Sequence, residues 1–190
     1  MKSRITNCIN SSIKVKKLVL DSIEILNNIE EIVLKSVESF NADKKMLLCG
    51  NGGSASDAQH IASELSGRFY LDRRPLFAEA LHVNSSFVTA VANDYGYDDI
   101  YSRMVEAAGR DGDILIGIST SGNSMNVINA IEKANKIGMT TIGFTGDNGG
   151  KMNDICDIII RIPSTDTARI QESHILVGHI ICQLIEEELF

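Results

Sequence analysis

A glycine ringed by hydroxyls, Ser119-Thr-Ser-Gly-Asn-Ser124, stands in this chain between a short apolar run and a helical pattern. Ile114, Leu115, Ile116 and Ile118 before it read as a parallel strand covered on both faces. Met125, Val127, Ile128, Ile131 and Ala134 after it carry the helical period. Where a strand gives way to a helix, the unbonded first-turn N–H groups and the positive end of the helix dipole favour an anion. Ser119, Thr120, Ser121 and Ser124 add hydroxyl donors, whereas helix capping alone needs one such residue. The loop lacks the lysine with which a nucleotide P-loop holds its terminal phosphates, so one small phosphomonoester suits it better than ATP.

A second junction of the same kind, Gly50-Asn-Gly-Gly-Ser54, follows the apolar run 46–49. In a parallel sheet both loops leave the same edge. One can hold a phosphate while Asn51 and Ser54 of the other, beside Gly52 and Gly53, bond the hydroxyls of a polyol. Close helix-to-strand packing is the other use for Gly52 and Gly53, and it leaves Asn51 without a role. The helix opened by this loop carries His60 and Glu64, four residues apart and so on one face. An imidazole and a carboxylate placed this way can share a divalent ion, with zinc the first candidate.

On the last helix Gln171, Glu172, His174 and His179 interrupt a strongly apolar run. For any one of these histidines an internal hydrogen bond or surface exposure is the competing explanation. Gln171 and His179 stand eight residues apart, about 12 Å along one helix axis. They join one ion only if long side chains converge or if one of them comes from a neighbouring subunit. Asn93 and Asp94, followed by Tyr95 and Gly96, read as a turn closing a helix, and Arg68 as a surface ion pair or an anion contact.

The elements that must position these groups alternate. Strands are expected over 46–49, 78–81, 113–118, 140–144 and 155–162, and helices over 54–66, 86–93, 123–136 and 167–189. That alternation implies a doubly wound parallel α/β sheet, with ligands at the carboxyl ends of its strands. Residues 5–40 carry apolar side chains at helical spacing and read as one or two long helices. Such an arm has few partners within a small α/β unit, which points to oligomerisation. The 190 residues, 44% of them hydrophobic, suit a single domain over 1–190 with 1–40 as its helical arm. A formal charge of −7 works against nonspecific binding to nucleic acid, so phosphate recognition has to be local. Cys8, Cys49, Cys156 and Cys182 form no Cys-x-x-Cys pair and fit a reducing cytoplasm, and no apolar stretch reaches membrane-spanning length.

Taken in order, Asn51 to Ser54, His60, Glu64, Asn93-Asp94, Ser119 to Ser124, Arg169-Ile-Gln171-Glu172 and His179 resemble the motifs of the sugar isomerase (SIS) domain family over nearly the whole chain. The resemblance implies a Rossmann-like sheet in a cytoplasmic homotetramer with active sites between subunits. It also implies an aldose–ketose isomerase that converts sedoheptulose 7-phosphate to D-glycero-D-manno-heptose 7-phosphate and feeds bacterial surface carbohydrates such as lipopolysaccharide or capsule. One zinc ion per subunit would fall on His60, Glu64, Gln171 and His179. The phosphate would fall on Ser119, Thr120, Ser121 and Ser124, and the sugar chain on Asn51, Gly52, Gly53, Ser54, Asn93, Asp94, Glu64 and Gln171. Glu64 would act as base, with His179 moving protons between oxygens. Some members carry Asp just before the Arg-Ile-Gln motif, where this chain has Ala168, with Asp166 two residues earlier. The family also includes noncatalytic sugar-phosphate sensors and a tetrameric partner of the replication initiator. Completeness of the metal and base residues separates those from the enzymes.

Overall fold

The computed structural model describes residues 1–190 and arranges them as a five-stranded parallel sheet between two layers of helices. The strands are β1 (Met46–Gly50), β2 (Ala78–Ala80), β3 (Ile114–Ile118), β4 (Thr140–Thr145) and β5 (Ile158–Arg161). Their order is β2-β1-β3-β4-β5, and every pairing is parallel. The chain leaves β1 toward one edge and returns at β3 to build the other, so the switch point lies between these two strands. Register places Gly50 opposite Ile118, and both hydroxyl- and glycine-rich loops therefore open side by side at that point.

Helices α1 (Lys2–Leu20), α2 (Ile23–Asn41), α3 (Gly53–Ser66) and α7 (Thr167–Leu189) cover one face, where 29 buried apolar residues form a single cluster. Helices α4 (Ser85–Asp94), α5 (Ile100–Ala108) and α6 (Met125–Ile137) cover the other over a smaller cluster. Both layers bury β1 and β3 completely, which is why their sequences are continuous apolar runs rather than alternating ones.

The amino-terminal arm is two helices, broken where Ser22 leaves helical geometry and its hydroxyl accepts the Ile25 N–H at 3.3 Å. Only the end of α1 is buried, through Val15 and Val19, while Ile5, Ile9 and Ile13 stay exposed. The expected strand over 155–162 is shorter than its apolar run. Residues Gly150–Asp154 form a 3-10 turn, and Ile155 ends it rather than starting β5. Outside the expected elements lie α5 and the 3-10 turn Tyr97–Asp99 before it, although Ile100, Tyr101, Met104 and Val105 carry a helical period. Asn93 and Asp94 are the last turn of α4 rather than a separate turn.

Candidate active site

The hydroxyl loop after β3 is built as a cup. Gly122 adopts a positive φ of 65°, a conformation open to glycine, and it packs against the Gly149 carbonyl, where no side chain fits. This turn brings the Ser119 hydroxyl within 2.9 Å of that of Ser124 and 3.4 Å of that of Ser121. Ser119 is buried, Thr120 and Ser124 are half-buried and Ser121 is exposed. The N–H groups of Thr120, Ser121, Ser124, Met125 and Asn126 have no acceptor within the chain, and the last two open the first turn of α6. Five unbonded donors, three clustered hydroxyls and a helix N-terminus make a donor-rich cup suited to an anion, with no formal charge of its own.

The loop after β1 is tied to this cup by a pair of amides. Asn51 donates to Asn126 Oδ1 and Asn126 donates back to Asn51 Oδ1, both at 2.9 Å, and the Tyr97 hydroxyl donates to Asn51 Oδ1 at 3.1 Å. The Tyr101 hydroxyl donates to the Gly50 carbonyl. Asn126 is 2% exposed, so this bridge is inside the protein. It uses the oxygen of Asn51 and one N–H of its amide, leaving one N–H for a ligand. Asn126, Tyr97 and Tyr101 were missed in the sequence. A polar residue on the buried face of the α6 pattern was the available signal for Asn126. Gly52 has φ 56°, Ser54 is buried in the first turn of α3, and the N–H groups of Asn51, Gly52 and Gly53 are unbonded. A Cβ on Gly53 would stand 2.5 Å from the Gln171 amide nitrogen, so α7 lays that side chain directly over the loop. Asn93 and Asp94 bond each other at 2.8 Å, exposed, where the chain turns back toward Tyr97 and Asn51.

Farther along the groove between α3 and α7, His60 Nε2 lies 3.1 Å from Glu64 Oε1 and 3.4 Å from His179 Nε2. The imidazoles meet edge to face with centroids 4.9 Å apart, and the ring of Phe69 backs His179 at 5.7 Å. The three donor atoms all fall within 4.8 Å of one another. Zinc bonds of about 2.0–2.1 Å in a tetrahedron put neighbouring donors about 3.3–3.4 Å apart, so the His60 contacts are already near the spacing of such a shell. The close approach of the helices has a simple origin, since Gly178 presents no side chain to Ile61.

Not every polar residue of the last helix belongs here. His174 is in the core, its Nε2 at 3.0 Å from the Thr145 carbonyl, and burial lowers its pKa to about 4 against a smaller opposing effect of that bond. Glu172 pairs with Arg169 at 2.8 Å, and Asp166 caps α7 by accepting the Ala168 N–H. Arg68 is exposed and unpaired, and Arg73 makes the buried ion pair instead, with Glu186 at 2.8 Å. Asp57, one turn before His60, was also missed. One of its oxygens is buried without a partner, and burial raises its pKa, while His60 acts in the opposite direction. No helix is long and apolar enough to cross a membrane.

The model of the SIS domain matches residues 14–146. A phosphoheptose isomerase of Clostridium acetobutylicum is 50% identical over 190 residues, covering 100% of this chain and 97% of that one. The solved structure of a phosphoheptose isomerase from Neisseria gonorrhoeae superposes with a TM-score of 0.92 at 40% identity, over 98% of both chains. A phosphoheptose isomerase from Francisella tularensis gives 0.93 at 36% identity, over 97% of both. The domain match ends before α7, but these relatives span it, so the helix bearing Gln171 and His179 lies inside the likeness. With its sheet, the loops after β1 and β3 and its last helix inside this likeness, the chain belongs to the SIS domain family and, within it, to the phosphoheptose isomerases, which makes it an enzyme that isomerises a sugar phosphate.

Proposed function

We propose that this enzyme converts sedoheptulose 7-phosphate to D-glycero-D-manno-heptose 7-phosphate through an enediol(ate), with one zinc ion per subunit, as the first step toward a nucleotide-activated heptose. The observation that carries the reading is an uncharged, donor-rich cup after β3 in the same subunit as a His60–Glu64–His179 group whose donor atoms lie within 4.8 Å of one another. Ser119, Thr120, Ser121 and Ser124 anchor the phosphate. Asn51, Gly52, Gly53, Ser54, Asn93, Asp94 and Gln171 line the path of the polyol.

Moving a proton from C1 to C2 requires a base, an acid and stabilisation of the intermediate charge. Glu64 fits the base because its two oxygens are unequal. Oε1 faces His60, while Oε2 has no partner within the chain and is free to take the C1 proton and return it to C2. His179, held against Phe69, moves protons between the substrate oxygens. Zinc, when bound, would polarise those oxygens as a Lewis acid. His60, Glu64 and His179 would hold it. Gln171, the fourth donor in this reading, lies over Gly53 and reaches the ion only by swinging along the groove or from a neighbouring subunit. The exposed isoleucines of α1 support a homotetramer with sites at its subunit boundaries, and four free cysteines support a cytoplasmic setting.

The test is aldose phosphate formation from sedoheptulose 7-phosphate by purified protein, before chelation, after it, and with zinc restored. Turnover lost and regained with the metal is expected. Turnover indifferent to chelation would remove zinc from the reading, and none in the zinc-loaded protein would remove the substrate.

A further inference from the structure

The loop from Gly67 to Pro75 places Phe69 behind His179, and it also contains the most heavily bonded arginine in the molecule. Arg73 Nη2 donates to the Glu64 carbonyl at 2.9 Å, and Nη1 donates to those of Leu65, Gly67 and Arg74 at 2.8, 3.2 and 3.1 Å. It therefore closes the carboxyl end of α3, including the backbone carbonyl of the proposed base itself. Its Nε donates at 2.8 Å to Glu186 on α7, two turns beyond His179. Glu186 also accepts the N–H groups of Phe69, Tyr70 and Leu71 at 3.2, 2.7 and 2.6 Å. Both side chains are 2% exposed. Burial alone would raise the Glu186 carboxyl, but the three N–H groups and the guanidinium outweigh it and hold the pKa below the usual carboxylate value.

One buried ion pair thus joins the helix of His60 and Glu64 to the helix of His179, and fixes the loop whose Phe69 ring backs His179. We propose that Arg73 and Glu186 are positioning residues of the active site, setting the spacing of α3 and α7 at the His60–Glu64–His179 group. A loop anchor alone would need neither the contact to the Glu64 carbonyl nor a partner on the helix of His179. The effect on metal rests on the zinc reading above, whereas the effect on the spacing does not.

The variants are Glu186→Gln, which keeps the shape and removes the charge, and Arg73→Lys, which keeps the charge and removes the fork. Zinc affinity is measured by competition with a chromogenic chelator, and kcat and KM with sedoheptulose 7-phosphate, on protein shown to be folded by circular dichroism. Partners that orient ligands from outside the coordination shell typically change affinity or activity 10–100-fold on mutation. We expect zinc affinity and kcat to fall at least about tenfold, with KM within about twofold. A lower Tm with zinc affinity, kcat and KM unchanged would reduce the pair to a loop anchor and overturn the proposal. If Glu186→Gln does not fold, Arg73→Lys decides by the same readings. If the wild type neither binds zinc nor turns over, the functional reading fails, and the ring resonances of the four histidines in metal-free protein decide the spacing. Movement of His60 and His179 with His82 fixed supports positioning, and no movement overturns it.

Discussion

Replacing Gly178 by Ala should damage the site far more than the fold. The added Cβ would stand 2.6 Å from Ile61 Cδ1 and 2.7 Å from Cγ1, where carbon atoms at rest keep about 3.5–4.0 Å. Ile61 is 1% exposed and has no open space to enter, so α3 and α7 must separate by about 1 Å. Overpacking of this kind costs about 1–3 kcal/mol, and the better helix propensity of alanine returns about 1 kcal/mol. The net loss of about 0–2 kcal/mol lowers Tm by no more than about 8 °C in a chain of this size. His179 is the next residue, and its Nε2 now sits 3.4 Å from that of His60. A displacement of about 1 Å in a catalytic group costs about 10²-fold in rate, near 2.7 kcal/mol of barrier. The assay is zinc affinity by chelator competition together with kcat, at a temperature where both proteins are folded. Ile61→Ala in the same chain makes room for the new methyl and should recover most of the loss in activity despite its own cost in stability. Full zinc affinity and kcat in Gly178→Ala, or a loss that Ile61→Ala leaves untouched, would refute the idea that this contact sets the histidine pair.

Glu64→Gln should abolish turnover while sugar-phosphate binding, measured by calorimetry, stays near wild type; retained turnover would remove Glu64 as base. Asn126→Ala deletes both amide bonds of the bridge to Asn51, a loss of about 1–3 kcal/mol and about 3–10 °C in Tm. It should raise KM more than it lowers kcat, and an unchanged KM would mean that the bridge does not set the loop spacing. His174 stays neutral in the folded protein with a pKa of about 4, below the 6.5 of an ordinary histidine, so the unfolded chain binds its proton first. Stability is therefore complete above pH 6.5 and falls as pH drops toward 4, by about 3 kcal/mol. Denaturant melts across that window check this, with His174→Gln expected to flatten the dependence and an unchanged slope to refute it.

Much of the site is local and so was legible in the chain. The proposed phosphate cup needs one strand end, one glycine turn and one helix start, all of which lie within residues 114–134. Likewise His60 and Glu64 share a face because four residues make about one helical turn. The covered parallel sheet followed from apolar runs too short and continuous for exposed elements, whereas its strand order and the layer each helix joins appear only in the structure. The amide bridge from Asn51 to Asn126 spans 75 residues, and the Arg73–Glu186 pair spans 113. No local spacing marks either, because a buried polar residue looks like a surface one until its partner is known. His174 and His179 show the same limit from the other side. Both are histidines in one apolar helix, five residues apart, and only packing sends one into the core against Thr145 and the other into the groove with His60. The sequence by itself determined which groups the protein owns and on which elements they ride. The tertiary structure decided which of them meet, because their meeting depends on how closely α3 and α7 approach, and that distance depends on Gly178, Ile61 and a buried ion pair that no local spacing marks.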